Sequence, residues 1–220
     1  MFLSRSHKVI IIWNPKTGST SLHRYLRLNV PDADFGPDGP DGPKKGHWNA
    51  RICQCARYWE ITMEELTEYR IASFWRDPID RMLSSYGFHQ RTRPDVVGSM
   101  TFMEYMEQHG KEVPPQWMYL TDRNIEGVRP FEVDLNWEWF NFHDYQNEFK
   151  RLAGWFGLTP GEVAPRMFPT VGNEIPYVNV STHIQVEDLS QEEINFVKNT
   201  FRTDYELLES EGIFPLSRDL

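Results

Sequence analysis

The sequence predicts an α/β fold, with a central parallel sheet flanked by helices in three layers. Three observations carry that expectation. Short apolar runs over residues 8–13, 70–75 and 137–142 are rich in β-branched or aromatic residues. Runs of this length suit strands covered on both faces. Each run is followed by a helix-like stretch, the alternation that builds parallel sheets. The third observation is size: 220 residues, 40% hydrophobic and 25% charged, suit a sizeable core. Residues 1–220 are therefore expected to form a single domain.

The opening strand, "KVIIIW" over 8–13, runs through "NPKTGSTS" into a helix over 18–29 with Leu22, Tyr25 and Leu26 on one face. Residues 31–46, "PDADFGPDGPDGPKKG", carry Pro and Gly too densely for a regular element, and the repeat is too short for a collagen helix. A loop of that length reads either as a lid or binding loop or as a tolerated surface insertion. "HWNARICQCARYW" reads as a helix, and Thr62 with Glu65 makes a capping-box pattern just beyond it. "RIASFW" over 70–75 is the second strand; Asp77 can then cap a helix with Pro78 in its first turn. "TFMEYMEQHG" predicts a short amphipathic helix stopping at Gly110, and "WEWFNF" over 137–142 a third strand. "YQNEFKRLAGWFGL" places Phe149, Leu152, Ala153 and Phe156 at core spacing on a helix. "SQEEINFVKNTFRTDYELLESEG" predicts one continuous helix, capped by Ser190 with Glu193. The chain carries no internal repeat and no interdomain linker.

Composition narrows the function classes. The net charge is −9, from 23 Lys and Arg against 32 Asp and Glu. Such a surface does not bind nucleic acid non-specifically, so an anionic ligand needs a local basic pocket. Cys53 and Cys55 are one residue apart, a poor geometry for a disulfide, and a reduced cytoplasmic setting is the simple expectation. With His47 they make a zinc site conceivable, but only with a further ligand from elsewhere. The N-terminal residues show neither a secretory pattern nor an apolar run long enough to span a membrane, so no membrane segment is expected.

Two segments carry chemistry. In the first, a loop leaves a strand and enters a helix, aiming main-chain N–H groups at one point where the helix dipole adds positive charge. Gly18 permits the tight turn, Ser19, Thr20 and Ser21 add hydroxyls, and Lys16 adds a full charge. The combination suits a phosphate or sulfate; the plainer alternative is an ordinary capped helix. In the second, "FWRDPIDRMLSSY", Arg76 stands at the carboxyl end of a strand, the edge at which open α/β sheets bind ligands. Its planar fork suits a phosphate, and Ser84 lies eight residues on. Arg81 is expected to face solvent or to pair with Asp77 or Asp80. Trp13, Trp48 and Trp75 flank the motifs and could stack on a base, although core is the simpler reading.

Together "PKTGSTS" and "RDPIDRMLSSY" resemble the sulfotransferases that use 3′-phosphoadenosine 5′-phosphosulfate. The order of Lys before Gly is that family's, not that of the nucleoside-triphosphate loop. Looser likenesses run in order through "KGHWNARI", "PPQWMYLTD", "VNVSTH" and "TDYELL", and are similar to the carbohydrate (membrane-type) branch and its bacterial relatives. The resemblance implies a P-loop-like three-layer fold and sulfuryl transfer to a hydroxyl or amine of a small-molecule or carbohydrate acceptor. It implies Lys16 on the bridging oxygen of the donor and Thr17, Gly18, Ser19, Thr20 and Ser21 around its 5′-phosphate. Arg76 and Ser84 would hold the 3′-phosphate, and no metal is expected. His47, by its place in "KGHWNARI", would be the base, with His89 its rival and Glu60 and Glu64 behind. Gln116 would touch donor or acceptor. The family's common Glu-Asn pair after the third strand is absent, where "FNFHDYQ" stands instead. Two other readings remain: a P-loop kinase or NTPase, against which the Lys–Gly order stands, and a non-catalytic nucleotide-binding protein of the same fold. Acceptor identity and oligomeric state are open.

Overall fold

A computed structural model describes residues 1–36, 52–120, 135–159 and 184–210, without the side chains of 53–55 and 120. Two compact units emerge, Met1–Trp75 with Met118–Val178 and Arg76–Trp117 with Asn179–Leu220.

The first unit holds a four-stranded sheet in the order β1 (Phe2–Ser4), β2 (Val9–Ile12), β3 (Arg70–Trp75), β4 (Asn136–Asn141). β2, β3 and β4 are parallel, with Ile12 opposite Ser73 and Ser73 opposite Trp139. The sheet is thus mostly parallel, and the antiparallel edge strand β1 was not foreseen. Lys8 is the reason: it takes φ 52 at the turn from β1 into β2, a place that Gly or Asn usually announces. The same turn starts β2 at Val9.

Side chains alternate across the sheet. Phe2, Val9, Ile11, Ala72, Phe74 and Phe140 face one core, with Leu22, Tyr25 and Leu26 of α1 (Ser19–Asn29). Leu3, Ile10, Ile12 and Ile71 face the other, with Ile52, Ala56 and Trp59 of α2 (Ile52–Trp59) and Leu66 of α3 (Met63–Leu66). A helical layer on each face makes the three-layer α/β fold. Burial of each large apolar side chain contributes about 1.5–3 kcal/mol. The Thr62–Glu65 capping box forms at α3 as the sequence predicts.

The second unit is helical among its described residues. It contains α4 (Pro78–Thr92), α5 (Pro94–Val97) and α6 (Phe102–His109), the last opened by a Thr101–Glu104 capping box. The short α7 (Trp117–Leu120) leads back into the sheet unit, where α8 (Tyr145–Gly154) follows β4 and packs Phe149, Leu152 and Ala153 into the α1 core. Ile79, Met82, Leu83 and Tyr86 of α4 bury against Tyr105, Met106, Ile194, Val197 and Phe201.

The C-terminal helix is two helices, not one: α9 (Gln191–Thr200) and α10 (Arg202–Ser210), broken at Phe201 with φ −110 and ψ 28. Buried Ile194, Val197, Phe201, Asp204 and Leu208 keep heptad-like spacing across the break, and neither Gly nor Pro marks it. The Ser190–Glu193 capping box is present. Of the loop over 31–46, only its first six residues are described, and Asp34 pairs there with Leu3. The rest, with His47, Trp48 and the two cysteine side chains, lies outside the described residues.

Candidate active site

β2 ends at Ile12 and α1 begins at Ser19, and the six residues between turn sharply. Lys16 and Gly18 both take left-handed backbone, φ 67 and 76. Glycine does so freely. For lysine the conformation costs about 1–2 kcal/mol, and strain of this kind collects at functional positions. Gly18 has a second reason to be glycine. A Cβ there would stand 2.7 Å from Cε2 of Tyr145 and 3.1 Å from Cε2 of Phe142. The Tyr145 hydroxyl also donates to the Gly18 carbonyl at 3.2 Å. The loop is therefore pressed onto the start of α8.

Gly18 is the N-cap of α1, and no side chain caps it. Its carbonyl accepts from Ser21 N at 3.1 Å and Leu22 N at 3.3 Å. The N–H groups of Ser19 and Thr20 belong to the first turn, whose donors a helix leaves without intrahelical partners, at the positive end of the dipole. Lys16, Ser19 and Thr20 are half-buried, so the loop presents a cation and two hydroxyls beside those donors. This is the chemistry of an anion cradle. Thr17 and Ser21 differ. Thr17 is buried, and its hydroxyl donates to the Asn14 carbonyl at 2.6 Å, which commits its proton within the loop. Ser21 is buried at the first turn.

The base of the loop is tied to β3. Asn14 Nδ2 donates to the Phe74 carbonyl at 3.3 Å, and Ser73 Oγ donates to the Ile12 carbonyl at 3.0 Å. Both hold the carboxyl ends of β2 and β3 in register. Trp13 and Trp75, considered for base stacking, are buried.

In the second unit Arg76 directly precedes Asp77, the N-cap of α4, whose carboxylate accepts from Ile79 N at 2.8 Å and Asp80 N at 3.3 Å, as the sequence predicts. Ser84 lies inside α4 and is buried. Arg81 does not face solvent. Its side chain is fully buried, donates to the Pro114 carbonyl at 2.9 Å and lies 3.8 Å from the Asp204 carboxylate. On α4 Arg81 shares a face with the buried Ser84 and Ser85, three and four residues on, a placement that a charged side chain does not announce. Burial pushes the Asp204 carboxyl above its ordinary value, against the opposing pull of Arg81.

Gln116 is fully buried and uses both ends of its amide on the Arg76 main chain. Oε1 accepts from Arg76 N at 2.9 Å and Nε2 donates to Arg76 O at 2.7 Å. His89 joins a chain in which its Nδ1 lies 2.9 Å from the Tyr105 hydroxyl, which donates to Ser85 Oγ at 3.1 Å.

The structure thus gathers Lys16, Thr17, Gly18, Ser19, Thr20 and Ser21 in one turn of the first unit, and sets Arg76 and Ser84 at and within α4 of the second. His47 is outside the described residues. Sequence reasoning missed Asn14, Tyr145 and Asp204, since each acts through contacts far along the chain. Among the described residues no group of three or more His, Cys, Asp or Glu is placed to hold a metal ion. Among them also no helix is long and apolar enough to cross a membrane.

No curated protein matches the chain. Among solved structures, a sulfotransferase from Alicyclobacillus acidocaldarius is 15% identical with a TM-score of 0.43, over 97% of this chain and 96% of that one, a likeness too distant to argue from. The sulfotransferase family model matches residues 1–209, nearly the whole length. The chain belongs to the sulfotransferase family.

Proposed function

We propose that the protein moves a sulfuryl group from 3′-phosphoadenosine 5′-phosphosulfate to a hydroxyl or amine of a small-molecule or carbohydrate acceptor. The observation that carries this reading is the turn between β2 and α1, where a strained lysine stands two residues before a glycine that admits no side chain. Such a turn suits a compact anion at the helix N-terminus. Lys16 neutralises charge on the bridging oxygen as the S–O bond to the donor's phosphate breaks. The first-turn N–H groups and the Ser19 and Thr20 hydroxyls hold the 5′-phosphate, with the proton of Thr17 kept within the loop. Arg76, with Ser84, holds the 3′-phosphate and so separates this donor from ATP. His47 takes the acceptor proton as the new bond to sulfur forms, and adenosine 3′,5′-bisphosphate leaves.

Calorimetric titration with adenosine 3′,5′-bisphosphate, ADP and ATP tests the reading. Preference for the bisphosphate, lost in Arg76→Ala, is expected. Equal or tighter ATP binding refutes it and favours the NTPase reading. His47→Ala should keep bisphosphate affinity while transfer of labelled sulfate falls about 10²- to 10⁴-fold. Unchanged transfer removes His47 as the base.

A further inference from the structure

We infer that Gln116 and Asp204 are positioning residues for nucleotide selection: they fix the main chain of Arg76 so that its guanidinium can recognise a 3′-phosphate. This rests on the proposed role of Arg76. The need for such a device lies in the backbone. Arg76 stands one residue past β3 and one before the N-cap of α4. It has left the ladder and is not yet in the helix, so its N–H and C=O need partners from elsewhere. A primary amide carries both a donor and an acceptor at one end, and Gln116 meets the two groups at 2.7 and 2.9 Å. Two bonds to one residue fix its position and its tilt, leaving the guanidinium to aim from a fixed root.

Gln116 is itself held. Its N–H donates to Asp204 Oδ2 at 2.9 Å, and Trp117 N donates to Oδ1 at 2.8 Å, so one carboxylate of α10 pins the start of α7. Arg81 stands 3.8 Å from the same carboxylate and also holds Pro114 O at 2.9 Å. Three elements of the second unit therefore converge on one backbone position: α4, the 114–117 segment and α10. Arg81 and Asp204 are both fully buried. A buried ion pair is a weak source of stability, since apolar packing of equal volume serves as well or better; its best-attested use is to fix geometry. Here the geometry fixed is that of the residue proposed to read the nucleotide.

The test compares adenosine 3′,5′-bisphosphate with adenosine 5′-phosphate, which lacks only the group Arg76 would read. Both are titrated against the wild-type protein, Arg76→Ala, Gln116→Met and Asp204→Asn, with circular dichroism confirming that each variant is folded. The expected result is a loss of bisphosphate affinity of about 10- to 100-fold in Gln116→Met, with 5′-phosphate affinity within about twofold of wild type. Asp204→Asn should move the same ratio in the same direction. A merely structural role lowers both affinities together and overturns the inference. So does an unchanged ratio in folded Gln116→Met while Arg76→Ala abolishes the preference, a result that leaves the role of Arg76 standing. A wild-type protein with no preference for the bisphosphate overturns both. If Gln116→Met does not fold, Asp204→Asn decides by the same criterion.

Discussion

Replacing Gly18 by alanine should disable the loop through its shape, with its charges left intact. Two costs add. The new side chain must adopt φ 76, which costs about 1–2 kcal/mol. Its Cβ would also lie 2.7 Å from Cε2 and 3.0 Å from Cζ of Tyr145, ring atoms that belong to a packed core. Overpacking of that kind costs about 1–3 kcal/mol. Alanine returns about 0.4–1 kcal/mol by narrowing the unfolded ensemble. The net loss is about 1–4.5 kcal/mol, measurable as a lower urea midpoint at unchanged slope. Two other glycines separate the terms. Gly157 has φ 66 but nothing within 4 Å of an added Cβ, so Gly157→Ala should show the backbone cost alone, about 0–1.5 kcal/mol after the offset. Gly154 has neither constraint and lies in α8, so Gly154→Ala should stabilise by about 0.5–1 kcal/mol. A double-mutant cycle with Tyr145→Ala should recover about 1 kcal/mol or more of the Gly18→Ala loss. A loss below about 1 kcal/mol for Gly18→Ala, or zero coupling to Tyr145, refutes the steric argument.

Lys16→Gly should leave stability within about 1 kcal/mol, because relief of the left-handed strain is offset by glycine's greater unfolded freedom, while transfer falls about 10²- to 10³-fold; a urea melt beside an initial-rate assay reads both. Arg81→Met should cost about 3–5 kcal/mol by stranding the buried Asp204 carboxylate, against less than about 0.5 kcal/mol for Arg202→Ala at the exposed pair with Glu206; equal losses in urea melts would show that burial does not set the cost. Glu65 and Glu104 titrate below their ordinary value of 4.5, chiefly because the Thr62 and Thr101 N–H groups donate to their carboxylates. A lowered folded value favours the native state above that point and loses the benefit as pH falls through it. Glutamine keeps the capping box without titrating, so Glu65→Gln/Glu104→Gln should flatten the fall in Tm between about pH 5 and about pH 3. An unchanged slope would mean that other carboxylates carry the acid response.

Sequence reading succeeded where the determinants are local. β3 is a buried apolar run ending at a capped, proline-opened helix, so both boundaries are written within a few residues. The capping boxes of α3 and α9 lie within a four-residue pattern each. The failures share a cause. β1 has three residues and is a strand only because β2 pairs with it, across a turn whose left-handed residue is a lysine. The break at Phe201 is hidden by apolar spacing that suits a continuous helix. Arg81 reads as a surface charge until Asp204, more than a hundred residues later, is seen beside it. At the candidate site, the tight turn was legible in Gly18, whose left-handed backbone the structure shows. The commitment of the Thr17 hydroxyl, the clamp by Gln116 and the ceiling that Tyr145 sets over Gly18 depend on neighbours that spacing does not supply.

The contact between Tyr145 and Gly18 spans 127 residues, which gives the loop a history as well as a shape. Its own residues are synthesised well before Tyr145, and the surface that sets its curvature arrives only with α8. Contacts of long sequence separation close late and slowly. A truncated chain that ends before Tyr145 therefore carries the whole motif without the contact that shapes it. A peptide spanning β2 and α1, or the same residues transplanted to another strand and helix, should bind phosphate poorly for that reason. The motif is portable as letters but not as a shape.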